Sequence, residues 1–388
     1  MSTIVVQKYG GSSLADVGKV SQVAATIVER HRSGVRVAVV VSAMGKTTDE
    51  LLSRAAAVSS QPDRRELDML VTAGERISMA LMSMAIHELG EDAVSFTGSQ
   101  SGIVTESAHQ GARIIEVRPH RIIDALERGR IVIVAGYQGV SAEREVTTLG
   151  RGGSDTSAVA LAAALGADAC EIYSDVDGVY SADPRLCPQA ELLAELGYET
   201  MQTLAGSGAK VLNAQAVEFA RRAEITLLAR KTGDESGRET RVHAGAKEPP
   251  TTVHAVASAP AVTRLETHSE EWATLRPKID ALGGRILRMS VRGDSVAVWI
   301  DRTDVLNRDA LPIREATSGS AAELREGAAV TVIGAESYRW LEDAQRALAD
   351  ANISVEGSMI GPADAAFFVE AEALPSAVQA LHRALIEG

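Results

Sequence analysis

Lys8-Tyr9-Gly10-Gly11-Ser12-Ser13 combines a cation, two adjacent glycines and two hydroxyls between a short apolar run and a helical pattern. Glycines there let the backbone approach a ligand closely, and their amides with a helix N-terminus form a site for phosphate oxygens, with Lys8 at its mouth. A Gly-Gly turn beside a solvated lysine is the plainer reading, and the spacing is not that of a P-loop. A second cluster, Thr147-Thr148-Leu149-Gly150-Arg151-Gly152-Gly153-Ser154-Asp155-Thr156, also precedes a helix. It adds an arginine able to grip a carboxylate with two hydrogen bonds, although Ser154 and Asp155 are also helix-cap types. A third runs from Tyr173-Ser174-Asp175 through Tyr180 to Asp183-Pro184-Arg185, where a polar Asp-Gly turn is the alternative and calcium-loop spacing is absent. Ser42-Ala43-Met44-Gly45-Lys46-Thr47-Thr48 is a hydroxyl-rich turn, and Gly74-Glu75-Arg76 puts a glycine inside a helical pattern, which requires a reason.

The elements that must hold these residues alternate. Ile4 to Val6 is expected as a strand, followed by a helix with Val17, Val20, Ala24, Ile27 and Val28 on one face and Asp16 as its N-cap. Val35 to Val41 reads as a strand buried on both faces, Asp68 to Leu89 as one long helix, and Ile131 to Ala135 as a further buried strand. Ser154 to Leu165 is helical and Ala169 to Tyr173 extended. This order predicts a three-layer α/β/α domain on a mostly parallel sheet over residues 1–230, with ligands at the strand C-terminal ends. Residues 231–252, with Pro249-Pro250, read as a connector. Residues 253–326 and 327–388 read as two small α+β modules with similar element order, a degenerate repeat suited to regulation or assembly.

Acidic residues outnumber basic ones by 52 to 39, and the formal charge of −13 argues against nucleic-acid or anionic-membrane partners. Two cysteines are too few for a disulfide framework or a cysteine-rich zinc site. No signal peptide is visible, and the apolar runs fall short of a membrane span, so a cytoplasmic location is expected.

In this order the motifs resemble those of aspartate kinases, members of the amino acid kinase family. The resemblance is carried by Lys-Tyr-Gly-Gly-Ser-Ser at 8–13, Ser-Ala-Met-Gly at 42–45, Thr-Ala-Gly-Glu-Arg-Ile-Ser at 72–78 and Ser-Phe-Thr-Gly-Ser-Gln at 95–100. Val-Ala-Gly-Tyr-Gln-Gly at 134–139, the run 147–163 and Ser-Asp-Val-Asp-Gly-Val-Tyr-Ser-Ala-Asp-Pro-Arg at 174–185 complete it. It implies transfer of the γ-phosphoryl group of MgATP to the side-chain carboxylate of L-aspartate, the first step toward the aspartate-derived amino acids. It further implies Lys8 and Asp155 as catalytic residues. Thr48, with Thr47 as its substitute, would bind substrate together with Glu75, Arg151, Gly152, Gly153 and Ser154. Lys8, Tyr9, Gly10, Gly11, Ser12, Ser42, Ser174, Asp175, Tyr180, Asp183, Arg185 and Lys210 would contact ATP, and Mg²⁺ would be held mainly by the ATP phosphates. Two C-terminal ACT modules, a homodimer through them and, in some relatives, an α₂β₂ assembly are implied as well.

Lys46 stands where relatives carry an acid, and Leu212-Asn213-Ala214-Gln215 replaces a Leu-His-Pro-Arg pattern. The first module has Glu266-Thr267-His268-Ser269-Glu270 instead of the family's glycine- and proline-containing turn. Altered feedback by lysine and threonine is therefore expected. The competing expectations are a same-fold kinase for another acidic amino acid and a non-catalytic regulatory subunit.

Overall fold

The computed structural model describes residues 3–150, 152–209, 211–234, 236–247, 253–303, 305 and 310–387. These form two compact units that interleave along the chain. The first comprises Met1–Val179, Ala194–Tyr198 and Val211–Lys247; the second comprises Tyr180–Leu193, Glu199–Lys210 and Glu248–Gly388.

In chain order the first unit opens with β1 (Ile4–Tyr9), α1 (Val17–Arg32), β2 (Arg36–Val41), α2 (Thr47–Val58), α3 (Arg64–Val71), α4 (Ala73–Glu88) and β3 (Ala93–Phe96). It continues through β4 (Ile103–Thr105), β5 (Ile114–Val117), α5 (His120–Glu127), β6 (Ile131–Ala135), β7 (Gln138–Val140), β8 (Val146–Thr148), α6 (Gly153–Leu165) and β9 (Ala169–Ser174). After β10 (Glu195–Leu196) and α7 (Tyr198–Gly206), which runs into the second unit, come α8 (Ala214–Ala223), β11 (Leu227–Lys231) and β12 (Glu239–Val242).

Eight strands join in the order β10-β12-β11-β9-β1-β2-β6-β3, parallel throughout except where β11 meets β12. A second sheet orders β5-β4-β7-β8. Every residue from Val37 to Val41 is fully buried because helices cover both faces of β2. Val37, Val39 and Val41 share a core with Val20, Ile27 and Val28 of α1 and with Met82 and Ile86 of α4. On the other face, Val40 lies toward Gly136 and Ser154 at the start of α6. Each such valine contributes roughly 1.5–3 kcal/mol by leaving water, so this sandwich fixes the strand ends that carry the site. Asp16 caps α1 as expected, accepting from the Lys19 amide at 2.9 Å, but Val17 is exposed and Val23 takes its place on the buried face.

Three other expectations change. The long helix begins earlier and divides at Thr72 into α3 and α4. The stretch Arg64–Glu88 is long and apolar enough to cross a membrane by length and composition, yet it buries Asp68 and Glu75 inside this unit. Within 231–252, β12 is a sheet strand with Thr240 and Val242 fully buried; its short alternation of apolar and polar residues was hidden among turn-forming ones.

The second unit contains β13 (Ala255–His268), α9 (Ser269–Ala281), β14 (Arg285–Arg292), β15 (Ser295–Asp301) and α10 (Leu311–Ala316), then β16 (Glu323–Ile333), α11 (Leu341–Asp350), β17 (Val355–Ile360), β18 (Asp364–Val369) and α12 (Leu374–His382). The same βαββα order occurs twice, as the sequence suggested. The repeats share one antiparallel sheet, β14-β15-β13-β16-β18-β17, in which β13 and β16 pair along most of their length. The segment Tyr180–Leu193 enters the core of this unit through Ala182 and Cys187. Buried His382 anchors it, with Nε2 at 2.8 Å from Ser181 Oγ and Nδ1 at 2.9 Å from Glu387 Oε1.

Candidate active site

The site lies within the first unit, around the C-terminal ends of β1 and β2. Lys8 occupies the end of β1, and its Nζ is 2.6 Å from Asp155 Oδ1; each side chain is only 12% exposed. The approach is off the line of a good hydrogen bond, and Asp155 Oδ1 has no hydrogen-bond partner among the described residues, so the attraction is mainly between charges. Asp155 sits in the first turn of α6, whose N-cap is Gly152 in the left-handed region at φ 72°. No side chain caps that helix, so the carboxylate is aimed at Lys8 rather than spent on the helix end.

The glycine turn after β1 closes against the turn after β2. Gly45 N donates to Gly11 O at 3.0 Å, and Ser42 N to Tyr9 O at 3.1 Å. A Cβ on Gly11 would lie 2.8 Å from Ala43 O, so that position accepts no side chain without moving backbone. The Gly10 amide donates to Tyr173 O at 3.2 Å. This corrects the expectation that both glycine amides face a ligand: the Gly11 amide, which opens a 3₁₀ turn over Gly11–Leu14, is the donor without an intrahelical acceptor. Nor does the start of α1 supply an anion site, since the Asp16 carboxylate occupies it. The Tyr9 ring is buried and stacks on Tyr173 at 4.7 Å, which leaves its backbone at the strand end.

Glu75 enters this loop from α4. Its Oε1 accepts from Ala43 N at 3.0 Å, while buried Oε2 has no hydrogen-bond partner among the described residues. Burial pushes the carboxyl up to about 7, against the opposing effect of backbone hydrogen bonds. An orphaned, desolvated carboxylate oxygen is suited to receive a cation such as an ammonium. The neighbouring helical glycine now has its reason, because a Cβ on Gly74 would come within 2.7 Å of Ala43 Cβ. Gly74→Ala, which in an ordinary helix gains about 1 kcal/mol, is therefore expected to lower the melting temperature in calorimetry.

Thr47 donates its hydroxyl to Met44 O at 2.7 Å, whereas the Thr48 hydroxyl has no partner among the described residues; of the two, Thr48 is the one open to a ligand. Ser154 is buried beside Gly136, and Gly153 lies against Leu149 and Tyr137. Gly152 faces Asn213, whose amide nitrogen would be 2.1 Å from an added Cβ. Asn213 also caps α8 through Oδ1, accepting from Gln215 N at 2.8 Å. In the sequence this asparagine stands out only within the Leu212–Gln215 departure from the family pattern, not as a neighbour of the site; its further signal is its N-cap type immediately ahead of a helical pattern.

Ser174 ends β9 with its hydroxyl 3.3 Å from Val176 N, and exposed Asp175 follows. Tyr180, Asp183 and Arg185 belong to the second unit, where Asp183 accepts from Arg185 N and Nη2 at 2.9 and 2.7 Å. Burial works to raise the Asp183 carboxyl, but those bonds outweigh it and hold it below the ordinary value. Arg151 and Lys210 lie outside the described residues.

Comparison with known proteins agrees with this architecture. The family model described as "Amino acid kinase family" matches residues 3–228. An aspartokinase of Geobacillus stearothermophilus is 40% identical over 398 residues, covering 98% of this chain and 97% of that relative. An aspartokinase of Corynebacterium efficiens is 58% identical over 230 residues, 59% of this chain and 55% of that protein, so the match spans about half the length of such relatives. In fold, the chain is similar to the crystal structure of E. coli aspartokinase III in complex with aspartate and ADP, with a TM-score of 0.80 over 98% of this chain and 99% of that one at 24% identity. Similarity of this extent, from the strand bearing Lys8 to the last helix, means that the chain belongs to the amino acid kinase family, among its aspartokinases.

Proposed function

We propose that the protein transfers the γ-phosphoryl group of ATP to the side-chain carboxylate of L-aspartate, giving 4-phospho-L-aspartate. The observation that carries this reading is the Lys8–Asp155 pair at 2.6 Å in a site that also holds a Glu75 oxygen with no hydrogen-bond partner among the described residues. A carboxylate nucleophile is ionised at neutral pH, so no general base is needed. Catalysis instead requires two anions to be brought together and the transferring charge to be stabilised.

Lys8 is the cation for that charge, and Asp155 orients its ammonium until the phosphates arrive. The glycine turn brings backbone close to this cation, since a Cβ at Gly10 would sit 3.5 Å from Lys8 Nζ, and that is where the phosphate is received. Mg²⁺ carried in with the nucleotide would supply further charge neutralisation beside Lys8. Glu75 holds the substrate ammonium, Arg151 its α-carboxylate, and Thr48 and Ser154 its remaining oxygens. Ser12, Ser42, Ser174 and Asp175, all in the first unit, serve the nucleotide. The two βαββα repeats act as ACT modules that join a homodimer in the cytoplasm. The replacement of the family's glycine- and proline-containing turn by Glu266-Thr267-His268-Ser269-Glu270 supports altered feedback.

The direct test is trapping. With ATP, aspartate and hydroxylamine the protein should yield aspartyl hydroxamate, the product expected of an acyl phosphate. Glutamate and cysteate in parallel wells, and lysine plus threonine in others, test acceptor choice and feedback. Nucleotide hydrolysis without hydroxamate, or a better product from another acid, overturns the assignment to aspartate.

A further inference from the structure

Asp68 is a fully buried carboxylate that the chemistry above does not use. Its partners come from two distant segments. Oδ1 accepts the Thr148 hydroxyl at 2.6 Å and Gln110 N at 3.2 Å. Oδ2 is 2.7 Å from His109 Nδ1 and 3.3 Å from Thr148 N. An ionised carboxylate only accepts, so His109 Nδ1 carries the hydrogen. Four donors around one buried anion repay its lost hydration, and such a network is rigid because loss of any member strands the others.

The placement of Asp68 gives the network its meaning. Asp68 and Glu75 are seven residues apart on the nearly continuous helical stretch Arg64–Glu88, hence on one face about 10 Å apart along the axis. Thr148 ends β8, two residues before the turn in which Gly153 N donates to Gly150 O and from which Asp155 emerges. The same strand end is gripped from the hairpin side, where Gly111 N and Ala112 N both donate to Thr148 O, at 3.0 and 2.8 Å. One carboxylate therefore ties α3, which runs on through Thr72 into the α4 helix bearing Glu75, to the strand that leads to Gly152, Ser154 and Asp155.

We infer that Asp68 is a positioning residue that sets the separation between the ammonium-binding Glu75 and the 150–155 turn, and so determines how tightly the amino-acid substrate is held. This rests on the aspartate kinase reading for its kinetic consequence but not for its structural one. Asp68 itself bonds to His109, Gln110 and Thr148 and not to β1 or the turn after β2, so it reaches Lys8 and Gly11 only indirectly, through Asp155 and Glu75, and the nucleotide side is the less affected.

Asp68→Asn preserves shape but turns an amide nitrogen toward donors, and Thr148→Val removes one donor while keeping volume. In Asp68→Asn the KM for aspartate should rise at least about tenfold while the KM for ATP stays within about twofold; Thr148→Val should move the same way by a smaller factor. Hydrogen exchange of the full-length protein, followed by mass spectrometry, should accelerate at 105–112 and 147–155 but not in β1 or β2. Parallel changes in both KM values, an unchanged aspartate KM, or unchanged exchange in those two segments would overturn the inference. Should Asp68→Asn fail to fold, Thr148→Val decides by the same criteria. A wild-type protein inactive on every acidic amino acid sinks the kinase reading instead, and the exchange pattern still judges the role of Asp68.

Discussion

Lys8→Met should lower kcat about 10³-fold, the scale seen when a charge-stabilising group is removed from a phosphoryl or acyl transfer site. The variant has a structural cost as well, because Asp155 is left buried without its cation. Breaking a fully buried ion pair costs about 3–5 kcal/mol; since both side chains keep some contact with water, a loss of about 2 kcal/mol is expected. The double variant Lys8→Met/Asp155→Asn separates the two effects. Removing both charges should restore most of the stability measured by urea unfolding, yet leave kcat near that of Lys8→Met. Recovery of activity together with stability would reduce Lys8 to a structural residue.

Glu75→Gln carries the second large effect. Losing a charged partner for the substrate ammonium is worth about 1.5–3 kcal/mol, so the KM for aspartate should rise roughly 50-fold with little change for ATP. The pH profile gives a sharper signature. The carboxyl, pushed by burial to about 7, must ionise to receive the ammonium. In the wild type, the KM for aspartate should therefore fall about tenfold per unit as pH rises toward 7 and level off above it; in Glu75→Gln that dependence should vanish. Stability runs the opposite way. The folded protein holds this proton more tightly than the unfolded chain, so the associated stability is present at low pH and is lost as pH rises from about 4.5 through 7. In the absence of substrate at pH 8, Glu75→Gln should equal or exceed the wild type in stability, as measured by thermal unfolding.

How much of this was readable in advance differs by element. The β1-α1-β2 start, β6 and α6 were visible because continuous β-branched runs and helical spacing leave few alternatives. Lys8 and Asp155 stood out because their motifs are dense in glycine, whereas Glu75 had only a single glycine inside a helical pattern and took its role from the family resemblance. Short strands such as β4, β7 and β8, three residues each, have too little periodicity to announce themselves. Asp68 looked like any helical acid, since its donors lie 41 to 80 residues away and only tertiary structure gathers them. The Gly10 amide was misassigned for a related reason: its acceptor, Tyr173, sits on the neighbouring strand β9.

The central pairing of β13 with β16 means that neither repeat of the second unit owns a complete sheet border. Deleting the C-terminal copy would strip β13 of its neighbour and expose a row of unsatisfied amides and carbonyls, the template from which sticky, self-associating chains grow. The duplication is thus obligatory rather than ornamental: during gain or loss of genetic material, the two halves must be inherited as a single cassette.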